Sequence, residues 1–179
     1  MSLATITEQP VITTDRFMLR PPRLSDIGLL DLYAGDARVA RMTTWIPHPL
    51  PPGACEAMVA RAQAPKRVED IWVMDGTPEG ASELMGVISL ERMDARQSEI
   101  SYWVAPPFWN TGLASDAVRA LVEANPLRCA TLFASVFQDN AASARVLVNC
   151  GFDYIGDAEA HSVARGATVP TWTYLRKLG

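Results

Sequence analysis

The sequence predicts one mixed α/β (α+β) domain over residues 1–179. Three observations carry this. Residues 97–106, QSEISYWVAP, alternate, with Ile100, Tyr102 and Val104 on one face and Glu99, Ser101 and Trp103 on the other, as in a strand. GLASDAVRALVEANP, beginning at Gly112, sets Leu113, Ala117, Leu121 and Ala124 along one side of a helix. Strand-like segments recur on both sides of that helix, giving the order β-α-α-β-β-β-α-β-α-β-β. A chain of 179 residues with 49% hydrophobic side chains is long enough to bury a core of its own.

RFMLRPPR (16–23) opens as a strand and is stopped by Pro21 and Pro22. LSDIGLLDLYAG follows as a helix, with Ser25 or Asp26 as cap and Gly35 at its end. DARVARMT suits another short helix. TWIPHPLPPG (44–53) holds four prolines in ten residues and predicts a stiff, extended loop. ACEAMVARAQ (54–63) is rich in helix formers. DIWVMD (70–75) and LMGVISLERM (84–93) flank the turn-rich GTPEGAS, a hairpin signal, and the alternating strand at 97–106 comes next. After the helix from Gly112, which Pro126 closes, CATLFASVF (129–137) is a short strand. NAASARVLVNCG (140–151) is a second helix, with Asn140 at the N-cap and Gly151 at a left-handed C-terminal position. FDYIGDAEAHSV and TVPTWTYLRKL, joined by ARGA, form a closing pair of strands.

Composition narrows the function. The net charge of −4, from 16 basic and 20 acidic residues, gives no electrostatic pull toward nucleic acid or an anionic membrane. Three cysteines without a CxxC, and two histidines, argue against a disulfide framework or a metal site. MSLATITEQP lacks the pattern of a signal peptide, and no run reaches the roughly 20 apolar residues that span a bilayer. The expectation is a cytoplasmic protein.

FWNTGLASDAV (108–118) carries the main chemical signal. A strand, a turn of small residues and a helix start together expose backbone N–H groups where the helix dipole is positive, which suits an anion. Gly112 lets a ligand approach the backbone. The stretch is neither a P-loop, since no GK[ST] follows, nor a dinucleotide fingerprint. By itself it reads first as a plain turn into a helix.

Its surroundings decide between the two. SEISYWVAPPFWNTGLASDAVRALV (98–122), VFQDNAASARVLVNCGF (136–152) and RFMLRPPRLSDIGLLDLY (16–33) together resemble the GNAT superfamily of acyl-CoA-dependent N-acyltransferases, most closely its Rim-type ribosomal-protein N-terminal acetyltransferases. The resemblance spans nearly the whole chain. It implies a central, mostly antiparallel sheet splayed at a V-shaped slot. It also implies acetyl-CoA as co-substrate without a metal, and a primary amine as acceptor, either a protein N-terminus or a small molecule. A homodimer stays open.

The resemblance also assigns residues. The backbone near Trp103 and Val104 would pair with the pantetheine amides, and Trp109, Asn110, Thr111, Gly112, Leu113, Ala114 and Ser115 would cradle the pyrophosphate. Asn140 would bond the pantetheine arm, or only cap its helix. Ser143 would orient or protonate the leaving thiolate, or only pack. Glu99 would act on the amine, with Glu91, Asp94 and Glu159 as weaker alternatives. Trp45, His48 and His161 would border the acceptor, and Phe108 would help to wall the slot. Two positions depart from the family pattern. Trp109 stands where Gln or Arg is usual, and Leu147 stands where many members place an acidic tyrosine. Two other readings follow from those departures and from the loop: a non-catalytic acyl-CoA-binding regulatory module, and a nucleotide-phosphate binder that lacks the P-loop lysine.

Overall fold

Alternating apolar side chains build a sheet with two buried faces. The computed structural model describes residues 9–94 and 96–179. Two short strands, β1 (Ile12–Thr13) and β2 (Met18–Arg20), precede the helices α1 (Ile27–Ala34), α2 (Ala37–Ala40) and α3 (Ala54–Gln63). Three strands follow, β3 (Glu69–Asp75), β4 (Gly86–Asp94) and β5 (Gln97–Val104). Then come α4 (Leu113–Ala124), β6 (Thr131–Phe137), α5 (Ala141–Asn149), β7 (Asp153–Ser162) and β8 (Ala167–Lys177). The strands form one eight-stranded sheet in the order β1-β2-β3-β4-β5-β6-β8-β7. Among the described residues, no helix is long and apolar enough to cross a membrane.

Strand parity sorts the core. Trp72, Met74, Ile88, Leu90 and Ile100 face α4 and α5, where they meet Leu113, Ala117, Leu121 and Leu147. Ile71, Val73, Val87 and Trp103 face the other way, onto Leu30, Val39, Met58 and Val59 of α1, α2 and α3. Each fully buried aliphatic side chain contributes about 1.5–3 kcal/mol of transfer free energy. Both faces of β3, β4 and β5 are therefore held, and their side chains are fixed in place.

Element ends differ in detail from the sequence expectations. Cys129 N donates to the Asn125 side chain just beyond α4, so the strand expected from 129 begins at Thr131. The helix expected over 140–151 spans Ala141–Asn149. Its Asn140 cap accepts from Ser143 N at 3.3 Å, and Gly151 has φ +84, as the left-handed position requires. Gly35 follows the last residue of α1 but has φ −74, so that helix ends without a left-handed glycine. Asp26 does not act as a simple cap. It is fully buried and accepts from Arg23 N and from both terminal nitrogens of Arg20.

The feature that places the site lies between β5 and β6. These parallel strands pair only at Gln97–Thr131, Ser98–Leu132 and Glu99–Phe133. Beyond that, β5 stays on β4 as far as Val104–Gly86, while β6 stays on β8 as far as Phe137–Thr171. Each strand is held from its outer side, and a slot opens between them.

Candidate active site

The loop before α4 is built to present N–H groups. Pro106–Phe108 forms a single tight turn, Asn110 has φ +61, and Gly112 has φ +80. No backbone N–H from Asn110 to Ser115 has a hydrogen-bond acceptor among the described residues; the first bond of the helix runs from Asp116 N to Gly112 O. These unpaired donors lie at the positive end of a helix running to Ala124. That arrangement fits a pyrophosphate. Asn110, Thr111 and Gly112 are exposed, and Ala114 and Ser115 are half-buried, whereas the Leu113 side chain is buried in the core, so only its N–H is available. Thr111 Oγ1 donates to Phe108 O at 2.5 Å.

Arg16 fastens this loop, a role the sequence reading missed. Its Nη1 donates to Thr111 O at 2.8 Å and its Nε to Asp116 at 2.9 Å. The contact joins residues 95 and 100 positions apart, so no local pattern announces it. Trp109 donates its indole N–H to Val104 O at 2.6 Å, and the Arg38 guanidinium lies 5.5 Å from the centre of its ring. Trp109 therefore braces the end of β5. The Val104 carbonyl keeps a second lone pair for a ligand amide.

The slot opens into a solvent-open pocket. On its α5 side, Tyr102, Asn140 and Ser143 line the wall. Asn140 Nδ2 donates to Ser143 Oγ at 3.1 Å, leaving the serine proton free to donate elsewhere. Tyr102 donates its hydroxyl to Ser143 O at 2.9 Å, and burial pushes its phenol pKa up despite that bond. No local pattern signals this phenol, because Tyr102 shares its strand face with the apolar Ile100 and Val104. Leu147, at the position of the family's tyrosine, is fully buried core. Cys150 is also buried, which raises its thiol pKa, and it packs as an apolar side chain.

The opposite side of the cavity is acidic. The register sets Glu69 of β3 opposite Glu91 of β4, and Glu91 opposite Glu99 of β5. All three line the cavity together with Ser89, Ser101, Trp103 and Trp45. None of the three carboxylates forms an ion pair with a described residue. Burial, then the charges of Glu91 and Glu69, raise the Glu99 pKa above the usual carboxylate range. Burial and Glu91 raise that of Glu69 as well, against the hydrogen bond from Ser89. The Trp103 indole N–H is buried and has no partner among the described residues.

Two residues expected on the acceptor side lie off this cavity. His48 and His161 do not line the cavity. His48 is exposed on the proline-rich loop. His161 is exposed on β7, which pairs with β8 and not with β5 or β6. Glu159 lies on the same distant strand, and Asp94 lies beyond the cavity at the far end of β4. Among the described residues, no group of His, Cys, Asp and Glu is placed to hold a metal.

Residues 16–153 match the family described as Acetyltransferase (GNAT) domain. The chain belongs to the GNAT family. It is 31% identical over 96 residues to the uncharacterized N-acetyltransferase YoaA of Bacillus subtilis (strain 168), a match covering 51% of this chain. The chain spans about half the length of that curated relative, 54%. Among solved structures, spermidine N-acetyltransferase from Vibrio cholerae, in complex with CoA and spermine, superposes with a TM-score of 0.78 at 15% identity, over 92% of this chain and 97% of the other. An acetyltransferase from Salmonella typhimurium that modifies the N-terminal serine of ribosomal protein L7/L12 superposes with a TM-score of 0.78 at 17% identity, over 95% of this chain and 100% of the other. At these identities the superpositions bear on the fold alone, a mostly antiparallel open sheet flanked by helices.

Proposed function

We propose that this GNAT protein transfers the acetyl group of acetyl-CoA to a primary amine, by direct attack in a ternary complex. One observation carries the reading: the run of unpaired N–H groups from Asn110 to Ser115 beside a slot where β5 has left β6. The pyrophosphate would lie on those N–H groups. The pantetheine arm would enter the slot along the free edge of β5 near Trp103 and Val104, and against Asn140.

The chemistry needs a neutral amine, a polarised thioester and a stabilised thiolate. An α-amine has a pKa near 8 and a lysine-type amine near 10, so a proton must leave before attack. In this reading Glu99, unpaired and half-buried, holds the acceptor ammonium. Ser143, whose hydroxyl already accepts from Asn140, turns its proton toward the departing sulfur. Trp45, 41% exposed at the cavity wall, borders the acceptor.

Calorimetry with acetyl-CoA, CoA and ATP, followed by a thiol-release assay over amines and peptides with free N-termini, tests the proposal. The expected result is binding of acetyl-CoA and CoA, no competition by ATP, and amine-dependent release of CoA thiol. Firm acetyl-CoA binding without release for any acceptor would instead favour a regulatory acyl-CoA-binding module.

A further inference from the structure

We propose that Ser101, Ser89 and Glu69 form a proton path that leads from the acceptor amine into the sheet and ends on the Glu69 carboxylate. This rests on the acetyl-transfer reading above. Ser89 of β4 stands directly opposite Ser101 of β5, and Ile71 of β3 stands opposite Ser89. Glu69 lies two residues before Ile71, on the same face. All three members of the path line the cavity.

Hydroxyl arithmetic fixes the direction. Ser89 Oγ donates its one proton to Glu69 Oε2 at 3.0 Å. Across the 2.9 Å contact between Ser89 and Ser101, the proton must therefore come from Ser101. Ser101 Oγ is left with lone pairs that can accept an N–H. The chain is thus polarised from the cavity toward the carboxylate. Ser101 also stands at the right place along the strand, two residues past Glu99, where pairing between β5 and β6 has ended.

The surroundings keep Glu69 receptive. Glu91 from β4 and Glu99 from β5 face it, Asp70 is its neighbour, and among the described residues the opposing charge is that of Arg61 on α3. Burial and the neighbouring Glu91 raise its proton affinity.

An ammonium proton moves to Ser101 Oγ as the Ser101 proton moves to Ser89 and the Ser89 proton to Glu69. The neutral amine attacks the thioester carbonyl, the C–N bond forms and the C–S bond breaks. The second nitrogen proton goes to the departing thiolate, and Glu69 returns its proton to water. The products are an amide, CoA thiol and one released proton.

The test measures thiol release between pH 6 and 10 with spermidine, alanine amide and an N-terminal alanyl peptide, alongside acetyl-CoA affinity and melting temperature. Glu69→Gln and Ser89→Ala are each expected to lower kcat about 100-fold near pH 7, within the usual range for general acid–base catalysis. The loss should narrow as pH rises toward the pKa of the amine, with KM for the amine and acetyl-CoA affinity changed less than about threefold. The double variant should be no slower than the slower single one, because both cut one path. Ser101→Ala should lose rate and Ser101→Thr, which keeps the hydroxyl, should recover most of it. Glu91→Gln should move the acid limb of the profile to lower pH, since a charge that raises the Glu69 pKa is gone. Full rate in Ser89→Ala, or an equal loss at every pH in Glu69→Gln, would overturn the path. If Glu69→Gln does not fold, the two serine variants decide. A wild-type protein that turns over none of the probes overturns the acetyl-transfer reading first, and the path with it.

Discussion

Gly112 shows how much one residue can control. Its φ of +80 lies where a side chain is strained, yet an added Cβ would meet only the Arg16 guanidinium, at 3.4 Å. Space is therefore available and the backbone is the obstacle. Gly112→Val should cost about 1–2 kcal/mol through the left-handed conformation. For a chain of this size that lowers the melting temperature by about 2–8 °C. The branched side chain would also stand over the N–H groups of residues 110–115. Acetyl-CoA affinity measured by calorimetry should fall at least about tenfold, the loss of roughly one good charge-assisted hydrogen bond. Unchanged affinity in a folded variant would remove the loop from the phosphate site. This position was legible in the sequence because glycine in a strand-to-helix turn is a local signal. Arg16 was not, since its partners Thr111 and Asp116 are joined to it only by the fold.

At the scale of elements, a buried charge network fixes how the first strands meet the first helix. Arg20 of β2 donates Nε to Asp75 of β3 at 2.7 Å, and both Nη atoms to Asp26 before α1, at 2.9 and 2.7 Å. Both carboxylates are fully buried. Burial works against ionisation of Asp75, but hydrogen bonds from Arg20 and from Thr77 outweigh it and lower its pKa. Removing the arginine would take the main cationic partner from two buried carboxylates. Arg20→Met should cost about 3–5 kcal/mol. Thermal melts should show a drop of about 10 °C or more, partly restored when Asp26 and Asp75 are also changed to Asn. A drop of only a degree or two would mean that the network carries little of the packing of β2. The strands and helices themselves were largely readable, because periodicity and turn residues are local. Residues 97–104 alternate, and Asn140 and Gly151 bracket α5 as expected. What stayed hidden is register. Glu69, Ser89, Glu91 and Ser101 are scattered in the chain, and only the pairing of β3, β4 and β5 sets them side by side.

For the whole molecule, that same row makes stability depend on pH in an unusual direction. Carboxylates opposite one another on adjacent strands repel, at a cost of about 0.2–1 kcal/mol per pair. Burial and mutual charge raise the pKa values of Glu69 and Glu99 in the folded protein. The folded state therefore holds protons that the unfolded chain has already lost, and stability falls as pH rises through that window. Below the ordinary glutamate pKa of about 4.3 the row costs nothing; above the folded values its full penalty applies. Asp36, Asp75 and Asp139 act in the opposite sense. Their lowered pKa values give stability above the ordinary aspartate value that is lost as pH falls through the folded ones. The two effects squeeze the protein from both sides. Neutralising the row should expose this. Glu99→Gln should raise the melting temperature by about 1–4 °C at pH 7.5, where it removes one like-charge contact. The gain should disappear at pH 4, where Glu99 is already protonated in the folded protein, while thiol release at neutral pH falls. Melts of both proteins at pH 4, 5.5 and 7.5 measure it. A gain that is the same at every pH would show that Glu99 does not share its charge with the row. A stabilised but slower variant would mean that the repulsion is kept because a cationic acceptor relieves it.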